Sequence, residues 1–103
     1  MTQVAGTYPV YRLYDSKNER HFYTISDYEK NVALAQNKLF RLEGIAFYAY
    51  PPDATGHYEM YRFLDLLHSA HFYTISRPER DKLKKSWFWR LEGVAFKVDP
   101  AGN

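Results

Sequence analysis

Short stretches rich in aromatic and β-branched residues, separated by polar turns, predict β-strands along this chain. Residues 10–14 and 21–25 lie on either side of a polar turn, which predicts a β-hairpin. The runs 40–50 and 87–98 each predict one or two further strands, in which alternate side chains face a core. Gly44, inside the first run, predicts a β-bulge or a close approach of the backbone.

Two helices are predicted by capping boxes, in which a serine and a glutamate three residues later satisfy backbone N–H groups of the first turn. The two boxes are Ser26 with Glu29 and Ser76 with Glu79. They predict helices over residues 27–36 and 77–85. Pro78 fits the second helix because first-turn N–H groups have no helical partner.

The chain contains an internal repeat of about fifty residues, which organises the whole sequence. His-Phe-Tyr-Thr-Ile-Ser at 21–26 recurs unchanged at 71–76, and Arg-Leu-Glu-Gly at 41–44 recurs at 90–93. So many matches in one order are not a chance result. The sequence therefore consists of two copies of one unit.

The boundaries of the copies follow from these matches. Repeat one spans about 8–50, the Pro- and Gly-containing linker spans 51–56, and repeat two spans about 57–98. At 103 residues the chain can form one hydrophobic core but not two, so residues 1–103 are predicted to be a single domain. The predicted fold class is α+β: two tandem β-β-α-β(-β) repeats forming one pseudo-twofold-symmetric domain with a shared core.

Composition narrows the functional classes. Hydrophobic residues make up 46% of the chain, which is typical of a folded globule. The net charge of +2 gives no reason to expect a nucleic-acid partner. No run approaches the ~20 apolar residues of a membrane span, and the first seven residues show no signal-peptide pattern. Without cysteine there is no disulfide, thiolate or cysteine-based zinc site.

A polar set present in both copies is the first candidate for a ligand-binding site. It comprises Arg12, His21 and Glu43 in repeat one and Arg62, His71 and Glu92 in repeat two. These groups can bind a carboxylate or sugar hydroxyls through charge-assisted hydrogen bonds. The favoured alternative is that Arg and Glu pair within each repeat to align its strands, because a contact that maintains the fold must occur in both copies.

No enzymatic activity, cofactor or metal site is expected. Glu43 and Glu92 occupy equivalent positions and should have similar environments, whereas an acid–base pair needs pKa values that differ. The sequence contains no phosphate-binding glycine loop and no nucleophile elbow. The histidines 57, 68 and 71 lack the carboxylate or thiolate spacing that would support a metal site.

The aromatic residues support a binding surface. Ten Tyr, seven Phe and two Trp exceed what a small core buries easily, and exposed rings can stack on sugars or contact a protein. The candidate aromatic ligand-binding residues are Trp87, Trp89, Tyr48 and Tyr50, followed by Tyr23 and Tyr73. The alternative is that about half of these aromatic residues lie in the hydrophobic core, because successive side chains of a strand face opposite sides of the sheet.

The second hairpin tip is unexpectedly apolar. It contains Leu64, Leu66 and Leu67, and the last two lie where repeat one has Ser16 and Lys17. They predict either an interface with another chain or a tip that folds back onto its own core.

Three motifs carry a resemblance to a known family: Tyr-Arg-Leu-Tyr at 11–14, His-Phe-Tyr-Thr at 21–24 and Glu-Gly-Ile-Ala-Phe at 43–47. They resemble the tandem repeat of unknown function found on secreted and cell-surface proteins, often beside hydrolase domains. The resemblance covers residues 8–98. It implies an accessory module at the cell surface or secreted, and no catalytic residue.

We therefore predict a non-catalytic, lectin-like module that binds carbohydrate or cell-wall glycan, with a cell-surface polysaccharide as its partner. The alternative is an oligomerising structural or protein-interaction module without a small-molecule ligand. In that case the leucines of the second hairpin tip form the contact of a homo-oligomer.

Overall fold

The computed structural model of the chain describes residues 3–99, in which one order of elements occurs twice. Repeat one contains β1 Tyr8–Asp15, β2 Arg20–Thr24, α1 Asp27–Gln36 and β3 Phe40–Ala49. Repeat two contains β4 Tyr58–Asp65, β5 Ala70–Thr74, α2 Arg77–Leu83 and β6 Trp89–Val98. Each repeat forms one antiparallel three-stranded sheet with its first strand in the centre, in the orders β2-β1-β3 and β5-β4-β6.

The hairpin turns are built by a buried aspartate at the end of each first strand. The Asp15 carboxylate accepts hydrogen bonds from the backbone N–H groups of Lys17 and Asn18, at 3.0 and 3.3 Å. Asp65 does the same for the N–H groups of residues 67 and 68. Because the aspartate supplies the turn chemistry, the tip itself can be apolar in repeat two.

The helices begin where the capping boxes predict. The Ser26 hydroxyl accepts the Glu29 N–H at 3.0 Å, and the Ser76 hydroxyl accepts the Glu79 N–H at 3.2 Å. The first helix ends at Gln36 as predicted, and the second ends at Leu83, two residues early. Neither helix contains a buried residue. None of the helices within 3–99 has the length and apolar character needed to cross a bilayer.

The predicted α+β class is wrong, because the protein is mostly β, with 48% strand and 18% helix. The two helices lie on the surface and bury no residue, so the strands supply nearly all of the hydrophobic core. The predicted pseudo-twofold axis is also wrong. Arg62 of repeat two binds Glu29 of repeat one, whereas no ion pair within residues 3–99 joins the equivalent Arg12 and Glu79. Contacts about a twofold axis would be mutual.

Both repeats contribute to one apolar cluster. Val10 and Ala49 of repeat one pack with Phe96 of repeat two, and each is at most 1% exposed. The sheets also meet at one bridge, where the N–H and C=O groups of Tyr50 bond those of Lys97 at 2.9 and 2.8 Å. Apolar burial on this scale is the main favourable term in folding.

A β-bulge shapes each sheet at the glycine that the sequence indicates. Arg12 pairs with Gly44 and Leu13 pairs with Leu42, so Glu43 is the extra residue of β3. Gly44 has a φ of 111°, a conformation that glycine adopts without steric cost. The bulge leaves the Glu43 carboxylate free to face the side chain of Arg12.

Candidate functional site

The same three-residue cluster, which we call the Arg–His–Glu cluster, forms in each repeat. In repeat one, the Arg12 Nε and His21 Nε2 atoms lie 2.9 and 3.1 Å from Glu43 Oε1. In repeat two, the Arg62 Nε and His71 Nε2 atoms lie at the same two distances from Glu92 Oε1. The prediction that Arg and Glu pair within each repeat is confirmed.

The cluster of repeat two is covered by repeat one. The Glu29 carboxylate accepts hydrogen bonds from both terminal nitrogens of Arg62, each at 2.8 Å. The Phe22 ring lies 5.2 Å from the Arg62 guanidinium and 4.7 Å from the His71 ring. A bidentate carboxylate and an aromatic ring therefore complete this cluster.

The cluster of repeat one is open. The Arg12 and His21 side chains are 43% and 39% exposed, whereas those of Arg62 and His71 are each 15% exposed. Within residues 3–99 the terminal guanidinium nitrogens of Arg12 donate no hydrogen bond. The two clusters thus share their Arg–Glu and His–Glu distances and differ in whether the other repeat covers their outer side.

The surroundings of the closed cluster favour the charged form of its two carboxylates. Burial raises the pKa of Glu29, but hydrogen bonds from Arg62 and Thr24 lower it more, so the pKa lies below its ordinary value. The hydrogen bond from His71 lowers the pKa of Glu92. The arrangement suits ionic recognition rather than proton transfer near neutral pH.

Tyr23 and Tyr73, both candidate ligand-binding residues, lie in the contact between the repeats. The Tyr73 hydroxyl accepts the Tyr23 N–H and donates to the Tyr23 carbonyl, both at 2.8 Å. Their rings meet edge to face at 5.4 Å. Burial raises the pKa of Tyr73. In repeat two this position is therefore part of the inter-repeat contact rather than of a free surface.

An aromatic cluster, which we call the Trp87 cluster, covers one end of repeat two. Ring centroids are 5.7 Å apart for Trp87 and Phe88, 5.3 Å for Phe88 and Trp89, and 5.8 Å for Trp89 and Phe72. Trp87 is 77% exposed. Phe72 and Phe88 were not among the predicted residues, although Phe88 lies between two predicted tryptophans.

The remaining predicted residues are dispersed. Tyr48 is half-buried, and the Tyr50 ring stacks on His57 at 3.6 Å. Leu66 and Leu67 are exposed, so they do not fold back onto the core, and Leu64 is half-buried. Tyr48 and Tyr50 contact none of the rings of the Trp87 cluster, whereas Leu66 adjoins it, since the Leu66 N–H donates to the Phe88 carbonyl at 2.8 Å.

An open cleft of about 420 Å³ was not anticipated from the sequence. It is lined by Gly56, His57, Tyr58, Glu59, Tyr61, Ile75 and Arg77. Its polar groups are largely bonded within the chain, since Glu59 accepts the Tyr61 hydroxyl at 2.7 Å and His57 lies 2.6 Å from Asp99. The cleft therefore offers fewer free polar groups than the open Arg–His–Glu cluster.

Comparison with known proteins gives one finding. The profile of a family described as a domain of unknown function, DUF5648, matches residues 1–99. No curated protein and no solved structure matches the chain.

Proposed function

The chain belongs to the DUF5648 family of domains of unknown function, and we propose that it is a non-catalytic module that binds carbohydrate through the Trp87 cluster. The observation that carries this proposal is the exposure of the Trp87 indole, 77%, at the end of a continuous set of aromatic rings. An indole left in water on a folded protein has apolar surface available for a ligand.

The chemistry of the Trp87 cluster suits a sugar ring. The C–H face of a sugar is apolar and its rim carries hydroxyls, so an indole offers it a stacking face and an N–H donor. Phe88 packs against Trp87 and is itself packed against Trp89, which limits the orientations of the exposed indole. A ring that is already oriented loses less conformational entropy on binding.

The carboxylates support a binding role without catalysis. Glu43 and Glu92 are each bound by an Arg and a His at matching distances. A general acid needs a raised pKa, whereas the hydrogen bond from His71 lowers the pKa of Glu92. Glu92 thus lacks the raised pKa that the acid of a glycosidase pair needs.

We expect Trp87→Ala to weaken glycan binding at least about tenfold, because the mutation removes the stacking face. The measurement is a glycan array with purified protein, followed by titration calorimetry on any glycan class that binds saturably. The matched control is Tyr28→Ala, since Tyr28 is 80% exposed on α1 and contacts no other ring within residues 3–99. The control should bind as the wild type does. Absence of binding to any glycan, or equal loss in both variants, would contradict the proposal.

A second candidate function, assembly through the hairpin tip, is supported by the exposure of Leu66 and Leu67. If these side chains form a homo-oligomer contact, replacing both with serine should reduce the mass measured by light scattering to that of one chain. An unchanged mass would exclude the tip as the contact.

A further inference from the structure

The contact between the two repeats has a direction. Repeat one contributes the Glu29 carboxylate, the Phe22 ring and the backbone of Tyr23. Repeat two contributes the side chains of Arg62 and His71, and also the Tyr73 hydroxyl. Different surfaces of the same unit meet, so the contact is heterologous, and such a contact can be repeated by a further unit.

Each surface of this contact has an equivalent on the other repeat, where, within residues 3–99, its charged residue pairs with no group of the neighbouring repeat. On repeat one, the Arg12 face consists of Arg12, His21 and the Tyr23 hydroxyl, equivalent to the groups of repeat two. On repeat two, the Glu79 face consists of Glu79, Phe72 and the backbone of Tyr73, equivalent to the groups of repeat one. The Glu79 carboxylate forms no ion pair within residues 3–99, and Glu79 is exposed.

We propose that two copies of this chain associate head to tail, with Glu79 of one copy bound to Arg12 of the next. Phe72 of the first copy then lies against the Arg12 guanidinium and the His21 ring, as Phe22 lies against Arg62 and His71 within the chain. This contact goes beyond the proposed glycan binding and uses a different surface from the leucine tip.

The Arg12 face is already arranged for this partner. Glu43 holds the Arg12 Nε at 2.9 Å and the His21 ring at 3.1 Å, the same distances found in the covered cluster. The guanidinium edge that Glu29 occupies in repeat two is therefore formed in repeat one before any partner binds. A preorganised bidentate site loses little side-chain entropy on association.

A second copy fits the Arg12 face better than a small carboxylate does. A free carboxylate would satisfy the guanidinium alone, whereas the Glu79 face also offers a ring and backbone groups in the arrangement seen inside the chain.

One bond of the inter-repeat contact is absent from the contact between copies. Arg20 donates to Asp65 at 3.3 Å, but the residue equivalent to Arg20 is Ala70. Association between copies is therefore expected to be weaker than packing within the chain.

Trp87 itself is separable from this contact, although Phe72 belongs both to the Trp87 cluster and to the Glu79 face. The position in repeat one equivalent to Trp87 is Lys38, which is exposed and takes no part in the contact between repeats. Replacing Trp87 should therefore leave association unchanged, so failure of one proposal does not imply failure of the other.

The test is sedimentation velocity on the full chain over a wide concentration range. The wild type should rise above the 12.2 kDa of one chain with increasing concentration. Arg12→Glu and Glu79→Arg should each weaken self-association at least about tenfold, because each places like charges opposite one another. An equimolar mixture of the two variants should regain self-association, because intact Glu79 of one variant binds intact Arg12 of the other and the two substituted positions carry reversed but opposite charges.

Two controls assign the result to this contact. Thermal unfolding should show that both variants are folded, since both residues are on the surface, and the Leu66→Ser, Leu67→Ser double variant should associate as the wild type does. A wild type that stays monomeric at every concentration would overturn the proposal. So would single variants that still self-associate, or a mixture of them that does not regain association.

Discussion

Replacing Glu29 with alanine is expected to lower the free energy of unfolding by about 2–3 kcal/mol. The mutation removes both hydrogen bonds to the terminal nitrogens of Arg62, whose side chain is mostly buried between the repeats. Thr24 also loses the acceptor of its hydroxyl. The cost is below that of a fully buried pair because the Glu29 side chain is partly exposed. Urea unfolding at pH 7, followed by circular dichroism, measures it.

The chain supplies a matched control in Glu79→Ala. Glu79 occupies the same position in α2 as Glu29 in α1, and its carboxylate has no Arg partner within 3–99. At a dilution where the protein is monomeric, this variant should change stability by no more than about 0.5 kcal/mol. Equal losses in the two variants would attribute the effect to the first turn of the helix and not to Arg62.

The same contact should make stability depend on pH. The pKa values of Glu29 and Glu92 are lowered in the folded protein from an ordinary value of 4.5. Their stabilising contribution is therefore fully present above about pH 4.5 and is lost as the pH falls through the folded pKa values. Unfolding measured at several pH values should show this decline. Glu29→Gln should flatten it, and a decline equally steep in that variant would show that other groups cause it.

The second large effect is expected for Phe96→Ala, at about 3–5 kcal/mol. Phe96 is 1% exposed and fills the apolar cluster that contains Val10 and Ala49 of repeat one. Its ring contacts those of Phe47 and Tyr73 at centroid distances of 5.6 and 6.5 Å. Alanine would leave a cavity between the repeats that the surrounding strands cannot close fully.

The way the protein unfolds tests whether the repeats form a single domain. Both tryptophans lie in repeat two, so their fluorescence reports on that repeat, whereas circular dichroism reports on both. In the wild type and in Phe96→Ala the two signals should change in one coincident transition. The control Phe47→Ala, at the equivalent half-buried position, should cost less. Separate transitions would show two independently folding repeats.

Local features of the fold were predictable because their causes are local. Ser26 and Glu29 predict a helix over 27–36, and the structure has α1 at Asp27–Gln36. Gly44 predicts an irregularity in β3, and the register shift lies next to it. The fold class was wrong because two capping boxes indicate that helices exist, but not that they bury no residue.

The candidate site was predictable only in part. A charged residue in an apolar strand needs a partner of opposite charge, which predicts the pairing of Arg12 with Glu43. The equivalent pair forms in both repeats. Phe72 and Phe88 were not identified, because the rings that support an exposed tryptophan come from a different strand and an intervening turn. Their proximity arises from sheet pairing, which one sequence does not reveal.

The sequence by itself determined the repeat, the order of its elements and the composition of the Arg–His–Glu cluster, since each depends on residues within one unit. Only the tertiary structure decided that Arg62 is covered while Arg12 is open. Each arginine follows a tyrosine and precedes a large apolar residue, and the two differ in exposure because the repeats meet through unlike surfaces. Because the repeats pack head to tail, one Arg–His–Glu cluster is covered and the other remains available to a partner.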